Sequence, residues 1–432
     1  MKPIKLIINE LGAIRESSIE IKPLMVLSGE SGLGKSYLAI LVHYVYKFLT
    51  ELRLQGFFLE KKWDYESLSK ANSESGQISF NTSSVISWIN EDVNEYMKTT
   101  IGNPQLKIDV KIELPIESRN LSLSYRTEMM GLVGKEELFL VFQLDGINSR
   151  AYRISADSKN IGTVPWTFIL QNYLCETILG NDSIDQTMAL VPGRGGLLNI
   201  PLTLQDKVKR DGSIYTEFLK DWDIVRSMSP RKNNNESLLK TLRSINGGQI
   251  ALDSDQNLVY KMDSGQDLPI TAAASSVKEL APLDMLLSKY PANGLSLLFE
   301  EPEAHLHPTK QVSIADFIVQ MINAGAHVQI TTHSDYFLRR INDRIILHKI
   351  KEHDNALYEQ IINEYQYSNL TITPSLICAY ILLRNSKGGV DVRQQNIEEG
   401  IPYDTFSSVL EDGIGHSLDI QMKYSRLNYD TK

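Results

Sequence analysis

The sequence predicts an α/β fold built on a mixed sheet and interrupted by a large α+β insertion. Two observations carry the α/β core. An all-apolar run, Leu24-Met25-Val26-Leu27, leads through a glycine-rich turn into a helical pattern, and a second, Leu295–Phe299, opens a stretch where strands and helices alternate. Strands buried on both faces read as continuous apolar runs of this kind. The third observation is the change of character from about residue 56, where Ser- and Asn-rich sequence replaces that alternation. Residues 1–55 and 245–350 are therefore expected to build one discontinuous core. Residues 56–244 form the insertion, and 351–432 a C-terminal helical or mixed extension.

In order along the chain, residues 1–28 read as strands joined tightly around Leu11-Gly12. A helix is expected from Ser36 to about Leu52, because Leu38, Leu41, Val42, Val45 and Leu49 fall on one stripe. Ser67–Ser84 reads as loop, after which Val85, Ile86, Ile89, Val93 and Met97 recur at helical spacing. Leu106, Ile108, Val110, Ile112 and Leu114 alternate with charged residues, the pattern of a half-buried strand. Short strands near Leu121–Tyr125 and Leu138–Leu144, helices over Trp166–Leu179 and Glu236–Ile245, and a hairpin around Asp253–Asn257 follow. The core then resumes with a helix Ser276–Lys289, strand Leu295–Phe299, helix Pro308–Asn323, strand Val328–Thr331 and strand Arg344–Leu347.

Composition narrows the function classes. With 42% apolar and 22% charged residues, the 432-residue chain is ordinary for a globular protein. Its longest apolar stretches, Ala39–Leu49 and Leu376–Leu383, are too short to span a bilayer, and its N-terminus alternates like a strand instead of carrying a signal peptide's apolar centre. The only two cysteines, Cys175 and Cys378, lie far apart without metal-type spacing, so a reducing compartment, the cytoplasm, is expected. A net charge of −9 speaks against a surface coated for nucleic acid, without excluding a local basic groove. There is no internal repeat and no sustained heptad pattern.

Gly29-Glu30-Ser31-Gly32-Leu33-Gly34-Lys35-Ser36 fits G-x-x-x-x-G-K-[ST] at every fixed position. Glycines let backbone N–H groups curl around a β-phosphate, Lys35 brings a positive charge to the β- and γ-phosphates, and the Ser36 hydroxyl can ligate Mg²⁺. The helix starting here points its positive end at the anion. Tyr37, next on that helix, belongs to the expected nucleotide contacts. ATP and Mg²⁺ are the expected cofactors.

The strand Leu295–Phe299 ends in Glu300-Glu301-Pro302-Glu303. Successive strand side chains point to opposite faces, so the two leading acids cannot share a role. Glu300 is assigned to magnesium and Glu301 to polarising the attacking water as general base. His305 and His307 follow before Pro308. A metal pair is conceivable, but a structural or interface role at a helix start fits better. His333, in Thr332-His333-Ser334 after Val328–Thr331, is expected to hydrogen-bond the γ-phosphate and report its presence.

Taken in order, Gly29–Ser36, Ala274–Leu280, Glu300–Pro308 and Thr332–Ser334 resemble the ABC-type P-loop ATPases, in particular the AAA15/AAA21 group related to OLD, RecF and SMC heads. Val191-Pro192-Gly193-Arg194 and Gly247-Gly248-Gln249-Ile250 also look like family segments. The resemblance implies an ABC-type head that dimerises head-to-tail, with a signature segment of one copy touching the γ-phosphate held by the other. Ser275, Ser276 and Lys278 would be that segment, although Val277 stands where a glycine is common. The family's magnesium-bridging glutamine is either Gln143 or another residue. Arg194, flanked by glycines, either reaches a phosphate or sits in a turn.

The same resemblance implies an ATPase subunit like those of anti-phage systems such as Septu and PARIS. It would be a homodimer or higher homo-oligomer that controls a separate effector, a nuclease or toxin, without a membrane partner. An OLD-type Toprim nuclease does not fit into residues 350–432, where Glu398, Glu399 and Asp404 read equally well as loop and helix-start residues. The alternative is a RecF-like DNA-binding repair ATPase, with DNA as its partner.

Overall fold

The computed structural model describes residues 2–63, 75–131, 137–145, 148–153, 162–180, 184–198, 200, 213–232, 234–365, 367–402 and 414–423. Strands β1 (Ile4–Leu11) and β2 (Ile14–Ile21) pair as an antiparallel hairpin, and β3 (Leu24–Gly29) is buried at every residue. Helix α1 (Lys35–Thr50) follows; its expected stripe is buried, and so are most of its other faces. Helix α2 (Gln55–Glu60), β4 (Ser75–Asn81), α3 (Thr82–Ile101), β5 (Ile108–Glu113), β6 (Asn120–Met130), β7 (Glu137–Leu144) and β8 (Asn148–Arg153) come next. After them run α4 (Val164–Leu179), β9 (Gln186–Leu190), α5 (Arg194–Leu197), α6 (Ile214–Ser227) and α7 (Glu236–Asn246).

The remainder comprises β10 (Gly248–Leu252), β11 (Leu258–Met262), β12 (Asp267–Pro269), α8 (Ser275–Lys289), β13 (Leu295–Glu300), α9 (Pro308–Asn323) and β14 (His327–Thr331). Helices α10 (Asp335–His353) and α11 (Asn355–Tyr365) lead to β15 (Ile377–Arg384) and β16 (Val390–Gln394).

One nine-stranded mixed sheet, in the order β5-β1-β2-β16-β15-β3-β14-β13-β9, organises the chain. Strands β15, β3, β14, β13 and β9 are mutually parallel, and antiparallel pairs extend the sheet on the β1 side. Helix α1 packs against β3, β14, β13 and β9, and one continuous apolar cluster runs from Ile4 to Ile401. Smaller sheets, β4-β6-β7-β8 and β10-β11-β12, stand beside it.

The domain boundaries differ from those expected. Strands β5 and β9, from the 56–244 segment, and β15 and β16, from the 351–432 segment, are strands of the main sheet. The apolar run Leu376–Leu383 is thus a core strand, whose place is decided by pairing with β3 far away in sequence. Residues Arg344–Leu347, expected as a strand, lie inside α10. Phe337, Leu338, Ile341 and Ile345 recur there at helical spacing and are buried. Arg344 holds Asp316 of α9 bidentately, with Nε and Nη2 donating at 2.7 and 2.8 Å. Within the expected loop Ser67–Ser84, Ser75–Asn81 forms β4, with Ile78 and Phe80 buried on one face, and Thr82 begins a helix. Residues 67–74 lie outside the described residues.

Candidate functional site

Strand β3 delivers the phosphate-loop motif to the centre of the sheet. Gly29 has φ 121° and pairs with Leu382, and a Cβ there would stand 2.5 Å from the Leu382 carbonyl oxygen. Only glycine fits both the dihedral and the neighbour. Residues 31–37, with Ala13, Glu301, Thr331 and His333, line a cleft of about 400 Å³. Every residue of the motif from Ser31 to Ser36, and Tyr37 after it, therefore faces one space together with two expected catalytic residues. Gly29 and Glu30 border it through their carbonyls. Lys35 Nζ donates to Gly29 O at 2.9 Å and Glu30 O at 2.8 Å. Burial lowers the lysine's pKa, against the pull of Glu301, Glu300 and Glu303.

The two acids separate as strand alternation requires. Glu300, almost fully buried at the end of β13, accepts a 2.5 Å hydrogen bond from Ser36 Oγ. Burial raises its pKa; the Ser36 hydrogen bond opposes that shift. Two hard oxygen donors in direct contact, one at the start of α1 and one at a strand end, are a donor set that fits Mg²⁺. Glu301 adopts φ 45°, a left-handed conformation that non-glycine residues rarely hold. Its N–H donates to Thr331 O at 3.0 Å, and its side chain lines the cleft. Strain of this kind gathers at functional sites.

His333 lines the cleft from the end of β14. Burial and nearby Lys35 lower its pKa, which favours a neutral imidazole. Sequence reasoning missed the residue that fixes it, Glu303. This buried carboxylate accepts from His333 N at 2.7 Å and from Thr332 Oγ1 at 2.8 Å, both on Oε1. Burial raises its pKa, and these two bonds oppose the shift. The available signal was a third acid within the Glu300–Glu303 run.

Ser275, Ser276 and Lys278 are not among the residues lining this cleft. They sit at the start of α8, with Ser275 exposed and Lys278 Nζ bonded to Thr271 O at 2.7 Å. Gln143 is not there either. It lies on β7 in the four-stranded sheet and accepts from Arg126 Nη1 at 2.9 Å. His305 and His307 are exposed; His305 has φ 60°, and His307 Nδ1 accepts from Thr309 N as the cap of α9. Among the described residues no group of three or more His, Cys, Asp or Glu side chains is placed to hold a metal ion. Asp404 lies outside the described residues.

Arg194 does neither thing the sequence left open. It is fully buried, and it bonds backbone carbonyls of β13 and α8. Its pKa is pushed down to about 10 by burial, against Glu279 and the acids of the β13 end.

A P-loop opening a helix in a mixed α/β sheet, beside a strand ending in paired acids, defines a P-loop nucleotide-hydrolysing fold. The chain belongs to the AAA ATPase domain family, whose model matches residues 1–338, and it is an ATPase. Among solved structures it is similar to an SMC head bound to the C-winged helix domain of ScpA. That match has 12% identity, 92% of this chain, 98% of the other and a TM-score of 0.38. It is also similar to the SMC head domain from Thermotoga maritima (9% identity, 92% and 100%, TM-score 0.34). A third is the Smc head with an extended coiled coil bound to the C-terminal domain of ScpA, from Pyrococcus furiosus (10%, 95% and 99%, 0.37). Comparison with curated proteins finds no match. Among the described residues no helix is long and apolar enough to cross a membrane.

Proposed function

We propose that this ATPase works in the cytoplasm as a head-to-tail homodimer or higher homo-oligomer. In this reading it is the sensor subunit of an anti-phage defence system and controls a separate effector, a nuclease or toxin. The observation that supports the hydrolytic assignment is the junction of Ser36, Glu300 and Glu301 at one cleft. Ser36 and Glu300 would hold Mg²⁺, which supplies charge neutralisation at the phosphate oxygens when bound. Lys35 exchanges its two loop carbonyls for β- and γ-phosphate oxygens. Glu301 polarises the attacking water, and neutral His333 donates to the γ-phosphate while Glu303 holds its backbone.

The head-to-tail reading is supported by the position of Ser275 and Ser276. They open a helix of 15 residues away from the chain's own cleft, where hydroxyls and the helix N-terminus can meet a second copy's phosphate. The defence role rests on the resemblance of Glu300–Pro308 and Thr332–Ser334 to anti-phage ATPase subunits.

Light scattering of the wild type and Glu301→Gln, with and without Mg-ATP, tests the site and the assembly together. Glu301→Gln is expected to retain ATP, lose hydrolysis and gain a dimer or larger species. A variant that stays monomeric with ATP bound and still hydrolyses it would sink both assignments. Hydrolysis stimulated by duplex DNA, with steep salt dependence of binding, would favour the RecF-like repair reading instead.

A further inference from the structure

Arg194 is the least expected residue near the site. Its guanidinium lies wholly out of water, and it is spread over three elements instead of being matched to one acid. Nη1 donates to Val191 O at 2.9 Å, just after β9, and to Glu300 O at 3.0 Å, at the end of β13. Nε donates to Glu279 O of α8 at 2.7 Å and stands 3.4 Å from Glu279 Oε2. The plane lies 4.8 Å from the Phe299 ring centroid. Glu300 O belongs to the peptide group that leads into Glu301, so Arg194 grips the backbone immediately before the proposed base.

The other end of the grip is equally specific. Glu279 lies one turn from Ser275 and Ser276, and its Oε1 accepts from Gly195 N at 3.2 Å. A Cβ on Gly195 would stand 2.9 Å from Lys278 Cβ and 3.1 Å from Glu279 N, so α5 and the first turn of α8 touch through their backbones. Pro282, inside α8, removes the N–H that would serve the Lys278 carbonyl, which loosens that first turn from the rest of its helix. The turn is held from outside, by Arg194 and Gly195. Burying a guanidinium is unfavourable compared with apolar packing, so its presence calls for a role other than filling space.

We propose that Arg194 is a positioning residue that couples the Ser275–Ser276 helix start, the surface offered to a second copy, to the strand end carrying Glu301. This rests on the head-to-tail reading above. Docking of a partner's nucleotide on α8 would then be transmitted through one guanidinium to the local hydrolytic acid. Lysine cannot substitute, because a point charge on a flexible stem does not reproduce a planar fork bonding in three directions.

The test is steady-state hydrolysis by the full chain above its assembly concentration, with Arg194→Lys and, separately, Gly195→Ala, alongside binding of a fluorescent ATP analogue. Both variants are expected to bind nucleotide within two-fold of wild type, to keep KM, and to lose ten-fold or more in kcat. A merely structural role predicts lower thermal midpoints with kcat per folded molecule unchanged, and that result overturns the proposal. If Arg194→Lys does not fold, Gly195→Ala decides, since it presses α8 from α5 while leaving the guanidinium in place. A wild type that hydrolyses ATP without assembling overturns the coupling together with the dimer reading. An assembling wild type with both variants at full kcat overturns the coupling alone.

Discussion

Asp284 gives the molecule a pH dependence that can be worked from its surroundings. The residue sits in α8 with no exposed surface, and Arg243 Nη2 stands 3.5 Å from Oδ1. Burial outweighs that partner and pushes its pKa up to about 6, from an ordinary value of 3.8. Well below pH 4 the carboxyl is protonated in both folded and unfolded chains and contributes no difference. As pH rises, the unfolded chain ionises first, so stability is lost between about pH 4 and pH 6 and is level above that window. A shift of about two units corresponds to about 3 kcal/mol.

Asp284→Asn keeps the shape and cannot ionise. For a chain of this length, with an unfolding entropy near 0.9 kcal/mol/K, 3 kcal/mol is a change of about 3 °C. The variant's thermal midpoint, measured by differential scanning fluorimetry from pH 4 to pH 8, is expected to gain on the wild type by about that much between pH 4 and pH 6.5. Any constant offset from the substitution itself cancels in this comparison. A difference flat across the range, or one that falls as pH rises, would refute the argument that burial beats Arg243 at this site.

Two further outcomes follow from the site. Glu303→Gln replaces a charged acceptor by a neutral one at the bonds to Thr332 and His333; about 1 kcal/mol lost at each would lower kcat roughly thirty-fold, with ATP affinity retained in a binding titration. Gly29→Ala forces a Cβ against the Leu382 carbonyl at φ 121°; it is expected to destabilise by about 2–3 kcal/mol in urea unfolding and to abolish nucleotide binding, whereas Gly→Ala at exposed Gly415 does neither.

The parts of this molecule that the sequence announces are those whose meaning is local. The phosphate loop is legible because its fixed positions are contiguous and sit between an apolar strand and an amphipathic helix. Glu300 and Glu301 are legible because strand alternation alone separates them. Whatever depends on distant partners is not. Leu376–Leu383 reads as an apolar run, and only its pairing with β3 makes it a core strand. Ile345 and Ile346 look like a strand beside Arg344 until Asp316, on another helix, claims that arginine. Arg194 sits among glycines that describe a turn, while its partners at Glu279 and Glu300 lie 85 and 106 residues away. Glu303 hides as a third acid in a run, and its purpose appears only where β14 brings His333 alongside.

The placement of β3 between β14 and β15 also has a consequence for how the protein is made. The strand that carries the phosphate loop leaves the ribosome early, yet both of its sheet neighbours come from the last third of the chain. At about 5–20 residues per second, roughly 20 to 70 seconds separate the synthesis of β3 from that of β15. Until β14 is made, a strand opening on four apolar residues has both edges unsatisfied, which is the condition under which nascent chains recruit chaperones or mispair. Competence to bind nucleotide therefore waits for β14 and β15, and a translation product interrupted before them would carry the whole phosphate-loop motif without the sheet that shapes it.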